Sequence, residues 1–213
     1  MPASEIETIL FDAYGTLFDI TGEDWASPEV VQTMRNKQLQ YSWMTTLMGQ
    51  WREFTEITAA AIGYAIEAHG AVADPKEVLG AQLAIRTFPE VREALERLGR
   101  GRRLGILSNG TPDSLRALVE NAGLADRFEW LLSSSEVRVF KPSPAVYQLA
   151  LDRTRTDREK LLFVSSNGWD AAGAAGFGLR VAWVNRTGAP RERLGGPPEI
   201  EVNDLNRLAA SLE

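Results

Sequence analysis

ILFDAYGTLFD, residues 9–19, is the stretch on which the fold turns. An apolar run that begins at residue 6 stops in Asp12, and a Gly-Thr pair follows three residues on. A strand buried on both faces reads as a continuous apolar run, whereas a half-exposed one alternates. Asp12 is therefore expected at the carboxyl end of a buried strand, the edge where open α/β sheets bind their ligands. Gly15 permits a tight turn beside that carboxylate, and the N–H groups of the turn are expected to hold an anion there.

Outward from this stretch, further apolar runs of strand length stand at 103–107, 130–132, 161–164 and 181–184, with amphipathic segments between them. That alternation predicts a parallel sheet with crossover helices. The segment 91–98 has apolar residues at 91, 94, 95 and 98, the spacing of one helical face. The segment 112–122 follows Thr111, an N-cap candidate, and ends before Gly123, a C-cap candidate. From about 20 to 86 the text is helix-like throughout, which predicts an all-helical insertion lying over the carboxyl edge of the sheet. The expected division is a core of residues 1–17 and 88–213 and a cap of residues 18–87. The Gly/Pro-rich stretch 188–198 reads as a surface connection.

The chain has 213 residues, 44% of them hydrophobic, enough for one sizeable core with an appended lobe. A net charge of -6 gives no general attraction to phosphate backbones or anionic lipid, so nucleic acid and membrane are not expected as partners. No apolar stretch has the length of a spanning helix and none looks like a leader, so a cytoplasmic protein is expected. With no cysteine and a single histidine, His69, thiolate nucleophiles and multi-histidine metal sites are excluded. His69 has no partner pattern and reads as a surface or packing residue. GAAGFG at 173–178 lacks the spacing of a dinucleotide loop and reads as close packing inside a helix.

Three further short signals follow strand-like runs: LSNG at 107–110, FKPSPAVY at 140–147 and SSNGWD at 165–170. With D-x-x-G-T at 12–16, this ordered set resembles the haloacid dehalogenase superfamily, and the resemblance spans nearly the whole chain. It implies a Rossmann-like α/β core, a parallel sheet with helices on both faces, carrying an inserted all-helical cap. The superfamily's phosphatase pattern has an acid two residues after the nucleophile, where this chain has Tyr14. That pattern also has two carboxylates for Mg²⁺ in its last motif, where this chain has Ser166 and Asp170. Phosphoryl transfer needs a hard cation and several oxygen ligands to hold it. A halide leaves carbon without a proton, so a carboxylate nucleophile suffices with no acid at position 14.

MRNKQLQYSWMTTLMG at 34–49 resembles the cap of the L-2-haloacid dehalogenases, whose arginine receives the halide; Arg35 matches it. The resemblance implies hydrolysis of short L-2-haloacids to D-2-hydroxy acids through an ester on Asp12, with no cofactor and no metal. It gives Ser108, with backbone N–H groups near Tyr14 and Asn109, to the substrate carboxylate, and Lys141 to the charges of Asp12 and Asp170. Thr16 and Tyr147 support the network; Ser165, Asn167 and Asp170 position and activate water. Leu39, Phe54 and Trp169 line an apolar pocket. A homodimer is expected from the Trp and Met residues of the cap. A phosphatase with a reduced Mg²⁺ site and a binding module without catalysis are the alternatives.

Overall fold

A computed structural model describes residues 6–20, 25–82 and 84–213. Its centre is a six-stranded, all-parallel sheet in the order β3-β2-β1-β4-β5-β6. The strands are β1 (Thr8–Phe11), β2 (Arg103–Ser108), β3 (Trp130–Ser133), β4 (Leu161–Ser165), β5 (Arg180–Val184) and β6 (Ile200–Val202). Five match the runs read from the sequence, although β1 starts two residues later than expected; β6 was not expected. It is three residues long, follows the Gly/Pro-rich stretch and is only partly buried, so it carries no strand-length apolar run.

Side chains along a strand point alternately to the two faces, and β1 divides accordingly. Ile9 and Phe11 join a cluster with Leu104, Ile106, Leu162 and Val164 under the helices α4 (Val91–Leu98), α5 (Pro112–Asn121) and α8 (Leu205–Ser211). Leu10 joins the opposite cluster with Phe163 and Val181 under α6 (Pro144–Thr154) and α7 (Gly168–Phe177). Two buried faces explain why β1 reads as an unbroken apolar run. Thr111 caps α5 by accepting the Ser114 N–H, and Gly123 follows the helix with a left-handed φ of 61°. These are the two ends expected there.

Between β1 and α4 the described residues form three α-helices, α1 (Pro28–Met48), α2 (Phe54–His69) and α3 (Pro75–Ala81). They have an apolar centre of their own, formed by Val30, Met34, Ala61, Ile62, Ala65 and Val78. The chain leaves and re-enters the sheet layer side by side: Phe18 bridges Thr87, and the Phe88 N–H donates to the Leu17 carbonyl at 3.1 Å. A smaller cluster of Phe54, Ile57 and Phe140, with Tyr14 and Trp51 against it, joins the helices to the sheet's carboxyl edge.

Register fixes what gathers at that edge. Phe11 pairs with Ile106 on one side and Val164 on the other, and Ser108 pairs with Ser133. Asp12, Ser108 and Ser165 thus emerge together. The strand order reverses direction at β1 and β4, the kind of switch point where such sheets bind ligands.

Candidate active site

The loop after β1 is closed by its own backbone. Gly15 has φ of 80°, a left-handed conformation that favours glycine, and its N–H donates to the Phe18 carbonyl at 2.8 Å. The Thr16 N–H goes to Ala13. The expectation that the turn's N–H groups hold an anion is therefore corrected for Gly15 and Thr16, whose N–H groups are bonded within the turn. What the turn does instead is hold Asp12 and Thr16 side by side.

Asp12 is almost fully buried, with both oxygens engaged. Oδ1 accepts from the Lys141 ammonium at 3.0 Å; Oδ2 accepts from Asn167 Nδ2 at 2.8 Å and more distantly from the Thr16 hydroxyl at 3.4 Å. Thr16 Oγ1 also accepts the Ser166 N–H at 2.8 Å, tying the β1 loop to the end of β4. Lys141, 1% exposed, spans to Asp170 Oδ2 at 2.9 Å. Asp170, in the first turn of α7, accepts further bonds from Tyr147 OH at 2.8 Å and Ser165 Oγ at 3.0 Å. A carboxylate in that turn also faces the positive end of the helix.

Burial alone would lower the Lys141 ammonium, but Asp12 and Asp170 outweigh it and hold the group above the ordinary lysine value. Burial pushes the Asp170 carboxyl above the usual aspartate range, against the pull of Lys141. Burial and then the Asp170 charge raise the Tyr147 phenol, which stays a donor. Tyr14 is raised by burial too, with Arg35 opposing and Asp12 adding.

Above Asp12 opens a cavity of about 530 Å³ between the sheet edge and the inserted helices. Asp12, Arg35, Ser108, Asn109 and Asn167 supply its polar wall; Tyr14, Leu39, Phe54 and Trp169 supply the apolar one. Thr16, Lys141, Tyr147, Ser165 and Asp170 stand behind Asp12 and do not line it. All fourteen residues named from the sequence thus lie in one connected site. Ser108 Oγ accepts the Gly110 N–H at 3.2 Å, and Asn109 Oδ1 accepts the Lys141 N–H at 3.0 Å, so the Asn109 side chain orders the lysine loop. Gly110 leaves room for Tyr14: a Cβ there would stand 3.1 Å from its ring.

Several residues of the site escaped the sequence reading, Trp43 and Gln38 among them. Trp43 of α1 donates its indole N–H to the Lys141 carbonyl at 3.1 Å and packs edge-on to Trp169, ring centres 5.6 Å apart. Gln38 lines the cavity beside Arg35. Residues 28, 31, 32, 35 and 39 of α1 all face the cavity, so helical spacing from Arg35 was the available signal for that face. His69 is held at Thr33 Oγ1 by a 2.8 Å hydrogen bond, away from this cavity.

The geometry can support attack by a single desolvated carboxylate. It fits a Mg²⁺ ion poorly: Asp12 is the only carboxylate among the described residues lining the cavity, and both Asp170 oxygens are committed to Lys141, Ser165 and Tyr147.

A family model described as haloacid dehalogenase-like hydrolase matches residues 6–178. The chain belongs to that family. This hydrolase is 40% identical over 220 residues to an (S)-2-haloacid dehalogenase of Pseudomonas sp. (strain YL), covering 98% of this chain and 95% of the relative. It is 39% identical to haloacetate dehalogenase H-2 of Moraxella sp. (strain B), covering 96% of each. Its fold overlays that of an L-2-haloacid dehalogenase from Xanthobacter autotrophicus solved with chloropropionic acid covalently bound. The TM-score is 0.88 at 34% identity, covering 96% of this chain and 97% of the other. No helix among the described residues is long and apolar enough to cross a membrane.

Proposed function

We propose that this hydrolase removes halide from short L-2-haloacids, yielding D-2-hydroxy acids, with Asp12 as nucleophile. The carrying observation is the placement of Asp12 as the single carboxylate on the cavity among the described residues, beneath Arg35 and a largely apolar wall. Dehalogenases similar over nearly the full chain support the same reading.

In this reading an Asp12 oxygen attacks C2 from the face opposite the halogen. The C–O bond forms as the carbon–halogen bond breaks, and the halide departs with the bonding pair toward Arg35. A guanidinium at a developing anion in a dry site contributes several kcal/mol to the transition state. Ser108 and backbone N–H groups near Tyr14 and Asn109 hold the substrate carboxylate. Leu39, Phe54 and Trp169 surround the C2 substituent.

Water then attacks the ester carbonyl carbon of Asp12. Ser165 and Asn167 position it, and Asp170 acts through Lys141 and Ser165, since its oxygens are bonded to both. Cleavage of the acyl–oxygen bond releases the hydroxy acid, whose oxygen takes one of the water's protons while the other leaves to solvent, frees the Asp12 carboxylate and leaves C2 inverted once. Residues 18–87 serve as the cap that closes the site. Exposed Met44, Leu47 and Met48 on α1 support a homodimer, which sedimentation tests.

The test is halide release from chloroacetate and from each enantiomer of 2-chloropropionate, with EDTA present, for wild type and Asp12→Asn. Release from the L enantiomer and chloroacetate, giving D-lactate from the former and lost in the variant, is expected. A Mg²⁺ requirement, or activity surviving in fresh Asp12→Asn protein, would contradict the reading.

A further inference from the structure

Arg35 is held by a pair of glutamines. Its Nη1 donates to Gln38 Oε1 at 3.1 Å, one turn along α1, and its Nη2 donates to Gln82 Oε1 at 3.0 Å, just past α3. Both glutamines are 6% exposed, although nothing in ordinary helix packing calls for two buried amides. The amide of Gln38 is oriented by chemistry. A guanidinium can only donate, so the Gln38 oxygen must face Arg35, which turns Nε2 to Thr58 Oγ1 at 2.7 Å. Thr58 in turn donates its hydroxyl to the Phe54 carbonyl at 2.8 Å, leaving lone pairs to accept from Gln38. The chain of bonds runs from Arg35 to α2, and the bond to Gln82 runs to the end of α3.

We infer that Gln38 and Gln82 are positioning residues for the halide-accepting step, fixing the plane of the Arg35 guanidinium over the cavity. This rests on the dehalogenase reading given above. A guanidinium has five N–H donors in one rigid plane, so holding one donor on each Nη fixes the direction of the others. An amide oxygen carries only a partial charge, so these two bonds orient the cation without neutralising it. Gln38 also lines both the catalytic cavity and a second, mostly apolar one of about 300 Å³, which Gln82 lines as well. Loss of either amide lets the guanidinium turn from the leaving halogen.

The experiment compares kcat/KM, which includes every step through halide departure, for L-2-chloropropionate and L-2-bromopropionate. The proteins are wild type, Gln38→Glu, Gln38→Met and Gln82→Met. Chloride is the poorer leaving group and draws more on Arg35. The expected result, read on protein shown to be folded, is a fall of about 10- to 100-fold on the chloro substrate and a several-fold rise in the bromo-to-chloro ratio. Equal losses on both substrates, or wild-type values for both, would overturn the positioning role. A wild type that releases neither halide would instead overturn the dehalogenase reading and the inference with it, a distinguishable outcome.

Discussion

Lys141→Met removes the one cation that bridges the two buried carboxylates, and the structure sets the size of the effect. The oxygens of Asp12 and Asp170 that share Nζ lie 3.0 and 2.9 Å from it. At those distances each ion pair attracts by about 5–6 kcal/mol at an effective dielectric constant near 20, and the variant loses both while the repulsion between the carboxylates stays. In the variant the Asp170 carboxyl, already raised by burial, loses the opposing pull of Lys141 and rises further. The acid limb of kcat/KM for L-2-chloropropionate is expected to move to higher pH, with activity partly regained toward alkaline pH. Leaving buried charge unpaired also costs about 3–5 kcal/mol, with proton uptake relieving part of it, so Tm should fall by about 6–12 °C. The assay is a pH–rate profile on protein shown to be folded at each pH. An acid limb at its wild-type position in folded variant would refute the assignment of Lys141 as the charge that opposes protonation of Asp170.

Two further outcomes follow from neighbouring contacts. A Cβ on Gly173 would meet Pro142 Cβ at 2.6 Å and Tyr147 OH at 2.9 Å, so Gly173→Ala should destabilise by about 1–3 kcal/mol in denaturant titration. It should also slow turnover by displacing Tyr147 from Asp170. Because the Lys141 value is raised in the folded state, its stabilisation is fully present below the ordinary lysine value of 10.5 and is lost only as pH rises through the folded value. The Tm difference between wild type and Lys141→Met should therefore persist up to about pH 10 and shrink only above it; a difference that vanishes near pH 9 would contradict the raised value.

Much of the site was legible because its residues sit at strand ends, where short motifs report local geometry directly. An apolar run followed by Asp12, and SSNGWD after β4, each encode a strand, a turn and a helix start within a few residues. Gln82 and Trp43 were not legible for the opposite reason. Trp43 meets Lys141 across 98 positions of chain, and Gln82 meets Arg35 across 47, contacts that exist only once the inserted helices have docked. The β1 turn shows a different limit. Gly15 does signal a left-handed turn, but whether its N–H faces a ligand or the chain depends on where Phe18 places its carbonyl.

The most direct test of the central claim is a single turnover in H₂¹⁸O with enzyme in excess over L-2-chloropropionate, followed by mass analysis of the product and of the peptide containing Asp12. The account predicts unlabelled hydroxyl oxygen in the product and one ¹⁸O in Asp12. Label in the product hydroxyl with none in Asp12 would mean that water attacks C2 itself, and the nucleophilic carboxylate would be wrong.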